Sequence, residues 1–322
     1  MIKEIQSDLF CIELPLPRNP LKSINAYLLK GKRRNLIIDT GMNRDECKEV
    51  LFPALKKLGV DLSATDLFIT HLHSDHFGLS GDLATDSSIC YFPAAEMKVV
   101  QGTGHWGEFV DFFAANGFPM DALRESLSKH PGMLYRPSRL VQLTPAHDNQ
   151  DIPLDGFELV CIETPGHSPG HTCVYDRERK IFFSGDHILF DITPNISYWP
   201  EMKDALRSYL ESLDKVSGLE VKMVLPGHRN SWHKHGDRIA ELKQHHRHRL
   251  DEVLTALQEG DMTAYEVAPY ITWKIEYTDW ERFPIQQKFF AVGETVAHLH
   301  YLEHGGTITS RGENGLTYFS LA

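Results

Sequence analysis

Residues 70–76 read Thr-His-Leu-His-Ser-Asp-His and place four metal-ligating side chains close together, at His71, His73, Asp75 and His76. The apolar run Asp66–Thr70 predicts a strand that ends where these ligands begin. Residues two apart in an extended segment face the same way, so His71 and His73 can bind one ion. Asp75 and His76 follow round a turn and can bind a second. Burying several imidazoles without a metal would cost desolvation energy, so the segment predicts a metal site.

Three more ligand candidates each follow a predicted strand and a glycine. They are His167 in Thr-Pro-Gly-His, Asp186 in Phe-Ser-Gly-Asp and His228 in Leu-Pro-Gly-His. Glycine before each ligand allows the sharp turn that presents the next side chain. A carboxylate such as that of Asp186 can bridge two cations. Each motif alone is weak, but together with residues 70–76 they complete a set of nitrogen and oxygen ligands for two ions.

The composition is that of an ordinary globular protein, with 322 residues, 42% hydrophobic and 24% charged. A formal net charge of -11 argues against nucleic acid as the main partner, because phosphate binding needs clustered Lys and Arg. No apolar stretch is long enough for a membrane span, and the N-terminus has no signal-peptide pattern. Five scattered cysteines without a Cys-x-x-Cys pair favour free thiols and a cytoplasmic location.

The hydrophobic pattern divides the chain near residue 233. Before it, residues 1–232 alternate short predicted strands with helices at Arg44–Leu58 and Met202–Val216. The other predicted strands are Leu9–Leu16, Asn25–Leu29, Asn35–Asp39, Phe157–Glu163, Thr172–Tyr175, Ile181–Ser184 and Lys222–Leu225. Residues 91–145 are rich in helix formers and aromatics, which predicts a helical insertion. It serves either as a lid or substrate wall, or as additional packing.

Residues 233–322 predict three helices followed by a hairpin, the pattern of a winged-helix domain. The helices are expected at Ile239–Leu257, Ala264–Tyr270 and Phe289–His304, and the hairpin strands at Thr307–Thr309 and Leu316–Leu321. The run His245–Arg249 spreads around a helix axis, and this part of the chain is net acidic. We therefore interpret the run as a solvated face of a structural or homodimer-forming module, in preference to a nucleic-acid site.

The ligand motifs, in this order, resemble the metallo-β-lactamase superfamily over roughly residues 1–232. The resemblance implies an α/β fold, a four-layer αββα sandwich with ligands at strand ends. It also implies the ligand assignment: His71, His73 and His167 for metal one, Asp75, His76 and His228 for metal two, and Asp186 as the bridge. Asp39, in an Asp-Thr-Gly turn, matches a position that supports the site from behind. Because true β-lactamases usually lack an aspartate bridge here, the chain is expected in the glyoxalase II and lactonase branch.

The tail resembles the winged-helix extension of β-lactamase-like hydrolases, a group with a mitochondrial endoribonuclease member. This match rests on Leu242–Leu257, on Thr295-Val296-Ala297-His298-Leu299 and on Tyr318.

The implied activity is hydrolysis of a small-molecule substrate, an ester, thioester or lactone, by a hydroxide bridging two metal ions. Two zinc ions are the expected cofactor, with iron or manganese as alternatives. Asp75 is expected to accept the nucleophile's proton. Tyr198 either protonates the leaving group or holds a substrate oxygen, or it only lines the loop together with Trp199.

Other residues and functions stay open at this stage. His187 is expected to point away from the metals, because neighbouring residues on a strand face opposite ways. The side chains of His105 and Trp106, in the insertion, are candidates for reaching the pocket. One alternative function is an endoribonuclease or other phosphodiesterase. Another is an iron-bound persulfide dioxygenase.

Overall fold

The structure is a computed structural model that describes residues 1–102, 106–231, 235–273 and 279–322, with residues 106 and 107 described by backbone alone. The strands within these ranges are β1 (Ile2–Gln6), β2 (Leu9–Leu16), β3 (Lys22–Lys30), β4 (Asn35–Ile38), β5 (Thr65–Phe68), β6 (Cys90–Pro93), β7 (Leu143–Ala146), β8 (Asp151–Ile152), β9 (Leu159–Glu163), β10 (Thr172–Asp176), β11 (Ile181–Gly185), β12 (Met223–Pro226), β13 (Ile308–Glu313) and β14 (Leu316–Leu321).

The α-helices within the same ranges are α1 (Asp45–Lys57), α2 (Ser74–Phe77), α3 (Ser80–Leu83), α4 (Met97–Gln101), α5 (Trp106–Ala115), α6 (Met120–Ser128), α7 (Pro131–Leu134), α8 (Ala205–Ser217), α9 (His235–Ala256), α10 (Ala264–Val267) and α11 (Ile285–His304). No helix in the described part of the chain has the length and apolar character needed to cross a membrane.

Two mixed sheets form the centre of the molecule. The first contains β1 to β7 in sequence order, and the second has the order β12-β11-β10-β9-β8. The sheets face each other through a shared apolar core in which Leu29 and Phe68 of the first meet Val174 and Phe183 of the second. The ring of Tyr27 packs edge-on against that of Phe183, with centroids 5.4 Å apart. Apolar faces on both sheets are thereby buried against one another.

Helices cover the outer faces of both sheets and complete the αββα arrangement. On the first sheet, α1 buries Cys47, Leu51 and Leu55 against β2 and β3. On the second, α8 presents an apolar stripe whose members share helical spacing; they are Leu206, Tyr209, Leu213 and Val216. Asp204 begins α8 by accepting a hydrogen bond from the Arg207 amide, at 2.9 Å. The predicted four-layer fold is therefore confirmed.

The inserted helices and the C-terminal helices share one core. Phe113 of α5 and Phe118 are fully buried with Val292 and Val296 of α11 and with Phe319 of β14. Additional packing, one of the two roles predicted for residues 91–145, is thus present. The C-terminal helices and the β13–β14 hairpin occur where predicted, while the winged-helix classification and the domain limits 1–232 and 233–322 stay predictions.

One prediction for the C-terminal part is wrong. The run His245–Arg249 is expected to form a solvated helix face, but His246 is 0% and Arg249 5% exposed. Helix α11 packs against this side of α9 and removes both side chains from solvent. Arg247 and His248 are exposed, so the interpretation holds for these two residues only.

Candidate metal centre

The ends of strands from both sheets carry the candidate ligands into one place. The first cluster follows β5 and continues into the short helix α2, whereas His167 lies in the loop between β9 and β10. Asp186 follows β11 directly, and His228 follows β12. Because β11 and β12 are parallel neighbours, Asp186 and His228 emerge at the same edge of the second sheet.

Three imidazoles converge on one point. His73 Nδ1 lies 2.9 Å from His71 Nε2 and 3.0 Å from His167 Nε2. Potential ligand atoms of these three residues all lie within 4.8 Å of one another. Nitrogens that close, in a buried position, suit a single cation bound by all three.

A second group of ligand atoms lies beside the first. His228 Nε2 is 3.3 Å from Asp75 Oδ2 and 3.4 Å from Asp186 Oδ2. His76 Nε2 is 3.6 Å from Asp186 Oδ1. Asp186 Oδ2 also lies 3.7 Å from His167 Nε2, so this carboxylate stands between the two groups. The structure thus brings all seven predicted ligands together.

The second ring nitrogen of each Nε2-facing histidine has its own partner. His71 Nδ1 meets the Thr70 hydroxyl at 3.0 Å and His76 Nδ1 meets Asp39 Oδ2 at 2.7 Å. His167 and His228 meet the backbone carbonyls of Asn195 and Ser23, at 2.8 and 2.7 Å. Such partners favour protonation at Nδ1 and leave the Nε2 lone pair free for a metal. Asp39 therefore supports the site as the resemblance implied.

The pKa values of the histidines in the centre are shifted in opposite directions. Burial, reinforced by neighbouring imidazoles, lowers the pKa of His71 well below its usual value, and burial lowers the pKa of His73 to about 3. For His228, burial opposes protonation, but the charges of Asp186 and Asp75 outweigh it and raise the pKa to about 10. In the metal-free protein the first pair is neutral while His228 holds a proton that a cation would displace.

Two glycines allow the loops to approach so closely. A Cβ at Gly227 would lie 2.6 Å from Asp186 Oδ1 and 2.8 Å from His76 Cε1, inside the ligand group. Gly166 has φ +141°, and a Cβ there would collide with the backbone and Cβ of Tyr209. The glycines before His167 and His228 are therefore steric requirements of the site.

Two supporting residues were missed by sequence reasoning. Glu96 is 0% exposed, and its carboxylate accepts hydrogen bonds from Leu72 N at 2.7 Å, from Gly170 N at 3.0 Å and from Ser168 Oγ. It thereby ties the His71–His73 segment to the His167 loop. No sequence signal marks Glu96.

His171 is the second missed residue, and its Nε2 accepts the Asp186 amide hydrogen at 3.0 Å. The Gly-His pair at 170–171, repeating the Gly-His pair at 166–167, was a usable signal for it.

The aromatic candidates lie at different places. Tyr198 stacks on Phe112 of the insertion, with centroids 3.6 Å apart. Trp199 is the neighbour of the ligands, because its Nε1 donates to the His167 carbonyl at 3.1 Å and its ring centroid is 5.8 Å from that of His73. His187 is buried against Tyr209, away from the ligand groups, in agreement with the prediction. His105 lies outside the described residues, as does the side chain of Trp106.

A further cluster of potential ligands lies in the C-terminal part, formed by His245, His246 and Glu294. Both carboxylate oxygens of Glu294 are already engaged, one by Arg249 Nη1 at 2.8 Å and one by Asn195 Nδ2 at 2.7 Å. The guanidinium supplies the positive charge that the carboxylate needs. We therefore assign this cluster a structural role.

The seven-residue centre fits a divalent metal. Within the described residues, the buried atoms His76 Nε2, His228 Nε2 and Asp186 Oδ1 make no hydrogen bond, and all three lie among the ligand atoms. Buried polar atoms without a partner are costly and require an explanation. A divalent cation bound by these imidazole and carboxylate groups would supply that explanation, because it would take the place of the missing hydrogen-bond partners.

An αββα sandwich with histidine and aspartate ligands at its strand ends defines a class of metal-dependent enzymes. The family description "Metallo-beta-lactamase superfamily" matches residues 19–228, and the chain belongs to this family. A second description, "Metallo-beta-lactamase-like, C-terminal domain", matches residues 250–322.

Individual relatives agree over most of the chain. "Probable metallo-hydrolase YqjP" of Bacillus subtilis (strain 168) is 26% identical, and the alignment covers 97% of each chain. A solved metallo-beta-lactamase family protein from Thermus thermophilus has a TM-score of 0.82 at 26% identity, covering 99% of this chain and 100% of that one. "Acyl-coenzyme A thioesterase MBLAC2" of Gallus gallus is 28% identical over 64% of this chain and 72% of its own length.

Proposed function

We propose that this protein is a binuclear metal-dependent hydrolase that cleaves a small ester, thioester or lactone. The single observation that carries the proposal is the convergence of seven ligand side chains, with the Asp186 carboxylate 3.7 Å from His167 Nε2 on one side and 3.4 Å from His228 Nε2 on the other. His71, His73 and His167 would hold one ion, and Asp75, His76 and His228 the other. Asp186 would bridge them.

Zinc is the metal we propose, because imidazole and carboxylate ligands in this number suit it, with iron or manganese as alternatives. Bound by these residues, the metal would supply Lewis-acid chemistry: it would lower the pKa of a water toward neutrality and polarise the carbonyl oxygen of a substrate.

The side chains around the ions position charge and protons. Burial opposes ionisation of Asp75, yet His76 and His228 outweigh it and lower the pKa of the carboxyl to about 2. Asp75 is therefore ionised at neutral pH, which is the form that can bind a cation. Its place beside the metal ligands is what supports its second proposed role, accepting the nucleophile's proton. Tyr198 stays a candidate for the leaving-group acid, and Trp199, against His73 and His167, is placed to exclude water from one side.

Among the three substrate types we favour an acyl thioester. Next to Trp199 in sequence, Tyr198 belongs to a group of partly exposed rings that also contains Phe112, Phe109 and His300. Such rings offer apolar contact to an acyl chain. The relative MBLAC2 is named an acyl-coenzyme A thioesterase, which supports the same choice.

The test is hydrolysis of a panel of acyl-CoA thioesters, aryl esters and lactones by zinc-loaded protein. Thioester hydrolysis is measured by the release of free thiol. We expect it to be lost after chelation and in Asp75→Ala, and to persist in the surface control Asp8→Asn. Zinc-loaded protein that hydrolyses no member of the panel would contradict the proposed substrate class. Activity that survives chelation would contradict the metal mechanism.

A further inference from the structure

A buried ion pair connects the two long C-terminal helices. Arg249 of α9 and Glu294 of α11 are each 5% exposed, and Arg249 Nη1 lies 2.8 Å from Glu294 Oε1. Desolvating two charges is expensive, so a buried pair gives little net stability compared with apolar side chains. A pair in this position therefore calls for a role other than holding α9 and α11 together.

Hydrogen bonds link this ion pair to the metal centre. The second oxygen of Glu294 accepts a hydrogen bond from Asn195 Nδ2 at 2.7 Å. The backbone carbonyl of the same Asn195 accepts the Nδ1 hydrogen of His167 at 2.8 Å. Through that bond Asn195 fixes the ring orientation and the tautomer of His167, whose Nε2 lies 3.0 Å from His73 Nδ1 in the ligand group.

The loop that contains Asn195 is docked on α11 at further points. The Tyr198 amide donates to the Gly293 carbonyl at 3.1 Å. A Cβ at Gly293 would collide with Ser197 Oγ, so the Ser197 side chain packs directly on the backbone of α11. The position of the Asn195 carbonyl is therefore set by α11 of the C-terminal part.

We propose that the C-terminal helices position the metal ligand His167 through a chain of contacts from Arg249 to Glu294 to Asn195. Asn195, Glu294 and Arg249 are positioning residues: they act on the metal through His167 and do not touch substrate. The inference rests on the metal site of the proposed function and is independent of the substrate chosen there.

The test measures metal binding in Asn195→Ala, which keeps the backbone carbonyl and the Arg249–Glu294 pair but removes the link between them. Zinc affinity is measured on metal-free protein by competition with a chelating dye, and the visible spectrum is recorded after loading with cobalt(II). We expect zinc affinity to fall about tenfold and the cobalt spectrum to change, since loss of an outer partner typically costs 10- to 100-fold. The thermal midpoint of the metal-free variant is measured alongside and should fall, because Glu294 loses a buried hydrogen bond. A purely structural loss would leave the cobalt spectrum of the folded protein unchanged.

The matched control is Glu303→Gln, on the same helix, whose carboxylate bonds Ser310 in the terminal hairpin. If Asn195→Ala does not fold, Asn195→Asp retains the side-chain shape and places a like charge against Glu294, with the same expected loss. Zinc affinity and a cobalt spectrum equal to those of the control would overturn the proposal. A wild-type protein that binds no metal would overturn the proposed metal site as well, and the two failures are thus distinguishable.

Discussion

Asp39→Asn tests how the outer partners control the metal ligands. Asp39 Oδ1 accepts the Thr70 amide hydrogen at 2.9 Å, and Oδ2 accepts the Nδ1 hydrogen of His76 at 2.7 Å. Asparagine can keep the first bond with its oxygen, but its NH₂ group then faces Nδ1 of His76. Two donors would oppose each other, so the imidazole moves its proton to Nε2. That nitrogen faces Asp186 and can no longer bind a cation.

The magnitude follows from the bonds that change. Loss of a buried bond to a charged group costs about 1.5–3 kcal/mol of folding free energy. Loss of an outer partner of a ligating histidine lowers metal affinity by about 10- to 100-fold. We expect the weakening to fall on the ion bound by Asp75, His76 and His228, since His71 keeps its own partner, Thr70.

Calorimetric zinc titration of the metal-free variant measures this loss, and urea unfolding measures the change in stability. Asp8→Asn is the matched control, because Asp8 and Asp39 both have a left-handed backbone, with φ 65° and 58°, that asparagine also tolerates. The reasoning is refuted if Asp39→Asn binds both zinc equivalents as tightly as Asp8→Asn does.

Three more predictions concern other parts of the structure. Gly227→Ala should abolish binding of at least one zinc ion, because its Cβ would enter the space between Asp186 and His76; a full two-ion titration would contradict this. Burial raises the pKa of Glu96 to about 7, so the folded protein favours the protonated carboxyl. The stabilisation from this protonated form is complete below the pKa of Glu96 in the unfolded chain, and it is lost as the pH rises through 7. In urea unfolding of the metal-free protein, the contribution of Glu96 to the unfolding free energy should be about 3 kcal/mol smaller at pH 8 than at pH 4.5. This difference should be absent from Glu96→Gln. Phe113→Ala should reduce the unfolding free energy by about 3–5 kcal/mol, because the ring is fully buried in the shared core; a loss below about 1 kcal/mol would show that this core contributes little.

The convergence of the seven candidate ligands could be predicted because their signals are local. His71, His73, Asp75 and His76 are adjacent in sequence, and the other ligands follow a strand and a glycine. Strand ends at one edge of a sheet must meet, so alternation and turn residues were enough to indicate the site. The same signals predicted eight of the twelve strands in the two sheets and the helices α1 and α8. They missed β1 and β8, and they missed β6 and β7, which lie at the two ends of the predicted helical insertion 91–145.

The supporting residues could not be predicted, because their roles depend on contacts between distant segments. Glu96 joins Leu72 to Gly170, and Glu294 is linked to His167 through Asn195. The wrong interpretation of His245–Arg249 has the same origin. A charged run on a helix is solvated by default, but here α11 buries one side of it and supplies Glu294 to pair with Arg249.

The most direct measurement of the central claim is the zinc stoichiometry of the metal-free protein, compared with that of Asp186→Ala. We predict two tightly bound ions per chain in the wild type and loss of at least one in the variant, since the aspartate lies between both groups of ligands. Binding of a single ion, or two ions held equally well without the aspartate, would contradict the account.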